Sequence, residues 1–195
     1  MTSPRSVILV DPASGRTTTQ GPDIGRDVWS LMSDGRTVVA AAPKPEAVKW
    51  IEASPSEAIV WSTDAPATSV GSVTIGATAQ RIVPCGSELA CVLTAVERRA
   101  GAEILTSCQD LVRVRVSDGT VVGSVAVPRG SRSSAPLDSM AATPDGAHVA
   151  LAYADGIIRL VDVSTGRITA EFGGVTRSTR VLGISPDGRR LASGR

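Results

Sequence analysis

Aromatic residues are scarce in this chain of 195 residues, at 3% of the composition, with one Tyr and one Phe. Histidine occurs once, as His148, and Lys only at Lys44 and Lys49. One histidine leaves no His-rich metal set, because zinc sites draw on several His or Cys ligands. Lys+Arg 20 against Asp+Glu 19 gives a net charge of +1, so there is no basic surface of the kind nucleic acids select. No apolar run approaches the ~20 residues of a spanning helix, and Val7 to Val10 is too short for a signal-peptide core. The chain is therefore expected to be cytoplasmic, with no membrane and no nucleic acid among its partners. The preference for Arg over Lys, with abundant Ala, Gly and Val, associates with a GC-rich genome.

Cysteine is also sparse. Cys85, Cys91 and Cys108 are an odd number, which excludes a small secreted disulfide scaffold. If one pair forms, Cys91 with Cys108 is the expected one, leaving Cys85 free. Otherwise the three act as small buried apolar side chains.

Helical periodicity is missing, while 42% of residues are hydrophobic, enough for a packed core. What the chain holds instead is short β-branched runs separated by Gly, Pro, Asp and Ser, the pattern of strands and tight turns. These runs repeat. Val-Ile-Leu-Val-Asp-Pro-Ala-Ser-Gly-Arg at 7–16 matches Ile-Arg-Leu-Val-Asp-Val-Ser-Thr-Gly-Arg at 158–167, and Arg113 to Thr120 is a looser copy. In each, Gly15, Gly166 or Gly119 is expected to take the positive φ of a hairpin turn. A second motif alternates with the first: Ser33-Asp34-Gly35, Pro144-Asp145-Gly146 and Pro186-Asp187-Gly188, with a worn copy at Pro84-Cys85-Gly86. Three places after each Gly stands an aliphatic residue, Val38, Val149, Leu191 or Leu89, expected to be buried against a neighbouring sheet. The Gly positions lie 51, 60 and 42 residues apart, the spacing of a unit with four strands. In the best copy the strands are expected at 138–142, 148–153, 157–163 and 168–172, with Asp155-Gly156 turning between the middle two.

At Ile-Ser-Pro-Asp-Gly-Arg-Arg-Leu-Ala-Ser-Gly (184–194) and Ala-Asp-Gly-Ile-Ile-Arg-Leu-Val-Asp-Val-Ser-Thr-Gly-Arg (154–167) the chain resembles the two halves of a WD40-repeat β-propeller blade. The resemblance is divergent: Gly174-Val175 stands where such blades often have Gly-His, Val161 stands at the Trp position, and only Asp155 matches. Trp61 is the one candidate for a retained Trp. The resemblance implies an all-β propeller of four-stranded antiparallel blades, about four blades' worth, in one region spanning 1–195. Blades are expected at about 24–76, 77–131 and 135–173, with blade halves at 1–21 and 175–195. The halves leave two alternatives: a closed four-blade ring, or an incomplete arc of a larger ring whose open edges invite self-association.

For function, the resemblance implies a non-catalytic protein–protein interaction scaffold or sensor module, as part of a larger signalling protein. The alternative is a propeller enzyme, lactonase-like or quinoprotein-like, with its site in a central channel. No Gly-x-Ser-x-Gly and no Asp-x-Asp-x-Asp loop occurs, so no catalytic residue, metal ligand or cofactor is expected. Asp34, Gly35, Asp145, Gly146, Asp155, Gly156, Asp187 and Gly188 are read as structural turn residues. His148 is read as a surface residue beside its turn. Trp29 and Trp61 are read as core, whereas Trp50 lies in an insertion between strands and is the candidate contact with a protein partner. Arg113 and Arg115 alternate along one strand, either as an anion-binding face or as solvent-facing positions.

Overall fold

The computed structural model describes residues 6–10, 13–23, 28–32, 37–43, 56–62, 69–100, 103–128, 137–173 and 180–194. The described residues form sixteen strands. A two-stranded antiparallel sheet comes first, from β1 (Ser6–Val10) and β2 (Thr17–Asp23). Three four-stranded meanders follow. The first sheet is β3 (Val28–Leu31), β4 (Thr37–Pro43), β5 (Ser56–Ser62) and β6 (Ser69–Ile75). The second is β7 (Thr78–Cys85), β8 (Leu89–Ala100), β9 (Glu103–Arg115) and β10 (Val121–Val127). The third is β11 (Leu137–Ala142), β12 (His148–Tyr153), β13 (Ile158–Asp162) and β14 (Ile168–Phe172), each end within one residue of the sequence expectation. A last pair, β15 (Val181–Ile184) and β16 (Leu191–Gly194), forms its own two-stranded sheet. Among the described residues β1–β2 and β15–β16 are separate sheets, so the terminal halves take the open-arc arrangement and do not share a blade.

The sheets stack through apolar layers because their central strands are apolar on both faces. Side chains alternate across a strand. On β8, Ala90 and Val92 face the first sheet, with Val39, Ala41, Val60, Val112 and Val114. Cys91 and Leu93 face the third sheet, with Leu111, Met140, Val149, Leu151 and Val161. On β12 the other face, Ala150 and Ala152, packs with Ile158, Leu182, Ile184 and Leu191.

Register reproduces the repeat. Val38 pairs with Trp61 on β5 as Val149 pairs with Val161 on β13. Val38 and Val149 are fully buried, as their motif required, and Leu191 is partly buried. The worn copy departs. Strand β7 runs on to Cys85, which pairs with Leu89 across only residues 86–88. Leu89 therefore turns towards the third sheet and Ala90 takes the face that Val149 takes in its own blade. A one-residue slip inverts every side chain of a strand, so Pro84-Cys85-Gly86 is a different turn, not a fourth copy.

The cysteine expectation is corrected as well. Cys85 and Cys91 form a disulfide, with their Cα atoms 5.7 Å apart. Cys85 pairs with Leu89 and Val83 with Cys91, so the two cysteines are diagonal neighbours on one face of the hairpin. Cys108 instead pairs with Val96, five residues along β8 from Cys91 or roughly 16 Å at ~3.3 Å per residue, beyond disulfide reach. Both bridged cysteines are buried in the layer between the second and third sheets.

Candidate functional site

The turns and the seams between sheets are where polar chemistry gathers. In the third sheet, Thr143 N donates to His148 O at 2.9 Å and Gly146 N to Thr143 O at 2.8 Å. Asp145 Oδ1 accepts from Thr143 Oγ1 at 2.6 Å and from Ala147 N at 2.9 Å. The Thr143 hydroxyl in turn accepts from His148 N at 3.0 Å. The last pair repeats this with Ser185 and Asp187: Asp187 Oδ1 accepts from the Ser185 hydroxyl and from Arg189 N, and Ser185 Oγ from Arg190 N. A hydroxyl three places before the Gly is thus part of the motif, a partner that reading Pro-Asp-Gly alone missed. The 162–167 turn uses one carboxylate harder still. Asp162 Oδ1 accepts from the backbone N–H and the hydroxyl of both Ser164 and Thr165, at 2.6–2.9 Å.

These bonds hold the carboxylates in their charged form. Asp145 is pulled below the ordinary Asp range first by the Thr143 hydroxyl, and Asp187 first by the Ser185 hydroxyl. The Ser164 and Thr165 hydroxyls lower Asp162, and the Thr120 backbone N–H and hydroxyl lower Asp118. A depressed folded pKa contributes stability that is complete above the unfolded value of about 3.9 and is lost as pH falls through the folded one. The urea midpoint is accordingly expected to stay level from neutral pH down to about 5 and to fall below about 4. Replacing Asp162 with Asn is expected to flatten that acid limb. A midpoint that rises on acidification would contradict the assignment.

The turn glycines at 15, 86, 119, 146, 156, 166 and 188 all have positive φ. Several also sit where one sheet touches the next. Gly146 lies against the Cys85–Gly86 backbone, Gly166 against the Ala126 carbonyl, and Gly119 against Gly71, a glycine of strand β6 that itself meets the Asp118 carbonyl.

A chain of polar side chains crosses the seam between the second and third sheets. Gln109 donates to Gln80 Oε1 at 3.1 Å and accepts from the Tyr153 hydroxyl at 2.7 Å. The Tyr153 ring lies under the Arg159 guanidinium, 4.8 Å from its centroid. Arg159, 3% exposed, donates to Glu171 Oε1 at 2.9 Å and to Asp155 Oδ2 at 3.4 Å. Asp155 also accepts from Ile157 N at 2.9 Å, so it closes its turn and holds the buried arginine at once. Gln109, Tyr153 and Arg159 were not legible as a group. The one available signal was that the chain's single Tyr stands two residues before an Asp-Gly turn.

Arg113 and Arg115 project from β9 two residues apart, on the face that carries Leu111. Arg113 is half-buried, its guanidinium against Gly123 of β10, and among the described residues its Nε has no hydrogen-bond partner. Exposed Arg115 bonds within its own turn, to Asp118 at 3.2 Å and to Thr120 Oγ1 at 3.1 Å. Trp50, Asp34 and Gly35 lie outside the described residues. Trp29 and Trp61 stand on β3 and β5. His148 is half-buried at the start of β12, opposite Asp162. Among the described residues no helix is long and apolar enough to cross a membrane.

No family model matches this sequence, and no curated protein matches it. Among solved structures, the chain is similar to the β-propeller domain of Cps50 (Swd1) from Myceliophteria thermophila. That likeness has a TM-score of 0.64 at 13% identity, over 97% of this chain and 56% of the other. It is similar too to a chain in the mitotic checkpoint complex, with a TM-score of 0.65 at 13% identity, over 97% of this chain and 53% of that one. The chain thus spans about half the length of the structures it matches. At such identity the likeness speaks to fold: the sheets are propeller blades, and together they make up part of a ring.

Proposed function

We propose that this chain is a WD40-like, non-catalytic scaffold that binds another protein through its blade connections, as one part of a larger bacterial signalling protein. The observation that carries this reading is the stacked arc of propeller blades, whose seams close on backbone and on a buried polar chain. Rigid stacking of this kind leaves recognition to the connections between strands. The longest candidate is the 44–55 connection between β4 and β5, which carries Trp50. Arg113 and Arg115 on β9 form the second candidate contact. The Cys85–Cys91 bridge weighs towards an oxidising compartment, against the cytoplasmic expectation.

The test is capture with the purified chain, identification of the bound protein, and titration of that protein against wild type, Trp50→Ala and Arg115→Ala. Trp50→Ala is expected to weaken binding at least tenfold, the loss of ≥ ~1.4 kcal/mol typical of an anchoring aromatic. Unchanged affinity in both variants removes these contacts. Stoichiometric calcium or another metal in the purified chain would overturn the scaffold reading in favour of the propeller-enzyme alternative.

A further inference from the structure

Between the second and third sheets, at the end where their first strands turn back, lies a cleft of about 300 Å³. One wall is Val83, Pro84 and Gly86, at the end of β7 and the start of its turn. The other is residues 140–144, from the end of β11 into its own turn. Both sheets carry all four strands, so the walls owe nothing to the first and last residues of the sequence. The cleft is held in shape from several sides. Arg81 Nη2 donates to Asp138 O at 3.0 Å and ties β7 to β11 further along the seam. Gly146 rests on the Cys85–Gly86 backbone, and the Cys85–Cys91 bridge fixes that backbone.

None of the lining residues is charged, and their chemistry selects an occupant. The Thr143 hydroxyl is spent within its own turn, on Asp145 and on His148 N. Pro84 and Pro144 have no N–H, so the mouth offers no ladder to an added strand. What remains is apolar surface for one inserted side chain. The volume is about twice the ~150 Å³ of a cavity that binds one benzene, which allows a group as large as two fused rings. The rim is different. Glu88, on the 86–88 turn, and Asp145, on the 143–148 turn, are both exposed, and the two turns come together where Gly86 meets the Asp145 carbonyl. Asp145 takes its bonds from Thr143 and Ala147 on Oδ1, which leaves Oδ2 to a cation. His148 is half-buried at the foot of that turn, and Arg189 and Arg190 belong to the next turn, beyond Pro144.

We infer that this cleft docks a partner protein through one large apolar side chain flanked by Lys or Arg. The apolar group fills the cleft, as anchoring side chains fill pockets, and its basic neighbours meet Glu88 and Asp145. This inference rests on the scaffold reading and adds a second contact to it. Trp50 lies on a connection from a second strand to a third, whereas the cleft lies at turns from first strands to second. In an up-and-down meander those two kinds of connection leave from opposite ends of the sheet.

The probe is a labelled peptide, acetyl-Gly-Ser-Lys-Trp-Lys-Ser-Gly-amide, titrated onto the full chain at low salt. Saturable binding is expected, with amide shifts in the isotope-labelled chain at residues 83–86 and 140–145. Replacing the peptide's Trp with Ala is expected to weaken binding roughly tenfold. Glu88→Arg is expected to weaken the Lys-flanked peptide roughly threefold or more, and to favour a Glu-flanked one. Ala142→Phe, which narrows the cleft, is expected to abolish binding, with circular dichroism to separate a filled cleft from a lost fold. If that variant does not fold, Glu88→Arg, on an exposed turn, decides. No saturable binding, shifts that lie elsewhere, or indifference to the central side chain or its flanks overturns the inference. So does indole alone binding as tightly as the peptide, which would make this a small-molecule site. Trp50→Ala is expected to leave peptide binding unchanged, and a failed peptide leaves the Trp50→Ala titration standing, so the two readings fail separately.

Discussion

Gly146→Ala is expected to destabilise the third blade by about 3 kcal/mol. Two causes add. Gly146 has φ +70, where a non-glycine residue loses roughly 1–2 kcal/mol. An added Cβ would also stand 2.6 Å from the Cys85 carbonyl carbon and 2.8 Å from Gly86 N. Those are backbone atoms of the neighbouring blade, pinned by the Cys85–Cys91 bridge, so they cannot rotate aside. Overpacking of that kind adds roughly 1–3 kcal/mol. Gly188 is the control. It has the same φ, in the same motif, but its Cβ would meet only Pro144 Cδ at 3.7 Å. Gly188→Ala is therefore expected to cost only the backbone share. Urea unfolding of both variants decides the matter: equal losses would mean that the seam yields and the clash counts for nothing.

Arg159→Ala is expected to cost about 3 kcal/mol, the scale for stranding a buried charge. The two carboxylates do not contribute equally. Glu171 is 49% exposed, so water replaces much of that bond. Asp155 is 11% exposed, and the Tyr153 ring loses its cation as well. The loss should therefore couple to Asp155. Adding Asp155→Asn to Arg159→Ala is expected to cost clearly less than the sum of the single variants, by about 1 kcal/mol or more. Strict additivity in that cycle would show that the arginine matters for its packing volume and not its charge.

How much of this was legible depended on how local the determinant is. The hairpin turns were readable because Asp-Gly and Ser-Thr-Gly fix the backbone over a few residues, and Gly15, Gly119 and Gly166 adopt the φ that reading required. The strands of the third blade followed from those turns. The seam chemistry was not readable in this way. Gln109 and Tyr153 meet across two sheets and 44 positions, and only the stacking brings them to 2.7 Å. The disulfide turned on the length of one turn, three residues at 86–88 against six at 143–148. Had the 86–88 turn matched the 143–148 turn, Leu89 would face the first sheet and the offset between Cys85 and Cys91 would differ. Similarity of letters at Pro84-Cys85-Gly86 concealed a change of phase that only the register exposes. The role of the hydroxyl at Thr143 and Ser185 lay within reach, since Ser and Thr before Pro-Asp-Gly are positioned to bond that Asp.

The glycine contacts between blades have a consequence for how this chain can vary. The two principal apolar layers are filled differently, one mostly by Val and Ala, the other by Leu and Val together with the bridged cysteines, Met140 and Tyr153. Yet each seam also carries a backbone-to-backbone contact, Gly71 on Asp118 in one and Gly146 on Cys85 in the other. Such a contact has no side chain to trim or enlarge, so it acts as a mechanical stop. Core residues can drift in size behind it while the closest approach of the two sheets stays constant. The pitch of the fan is thereby uncoupled from the volume of its filling.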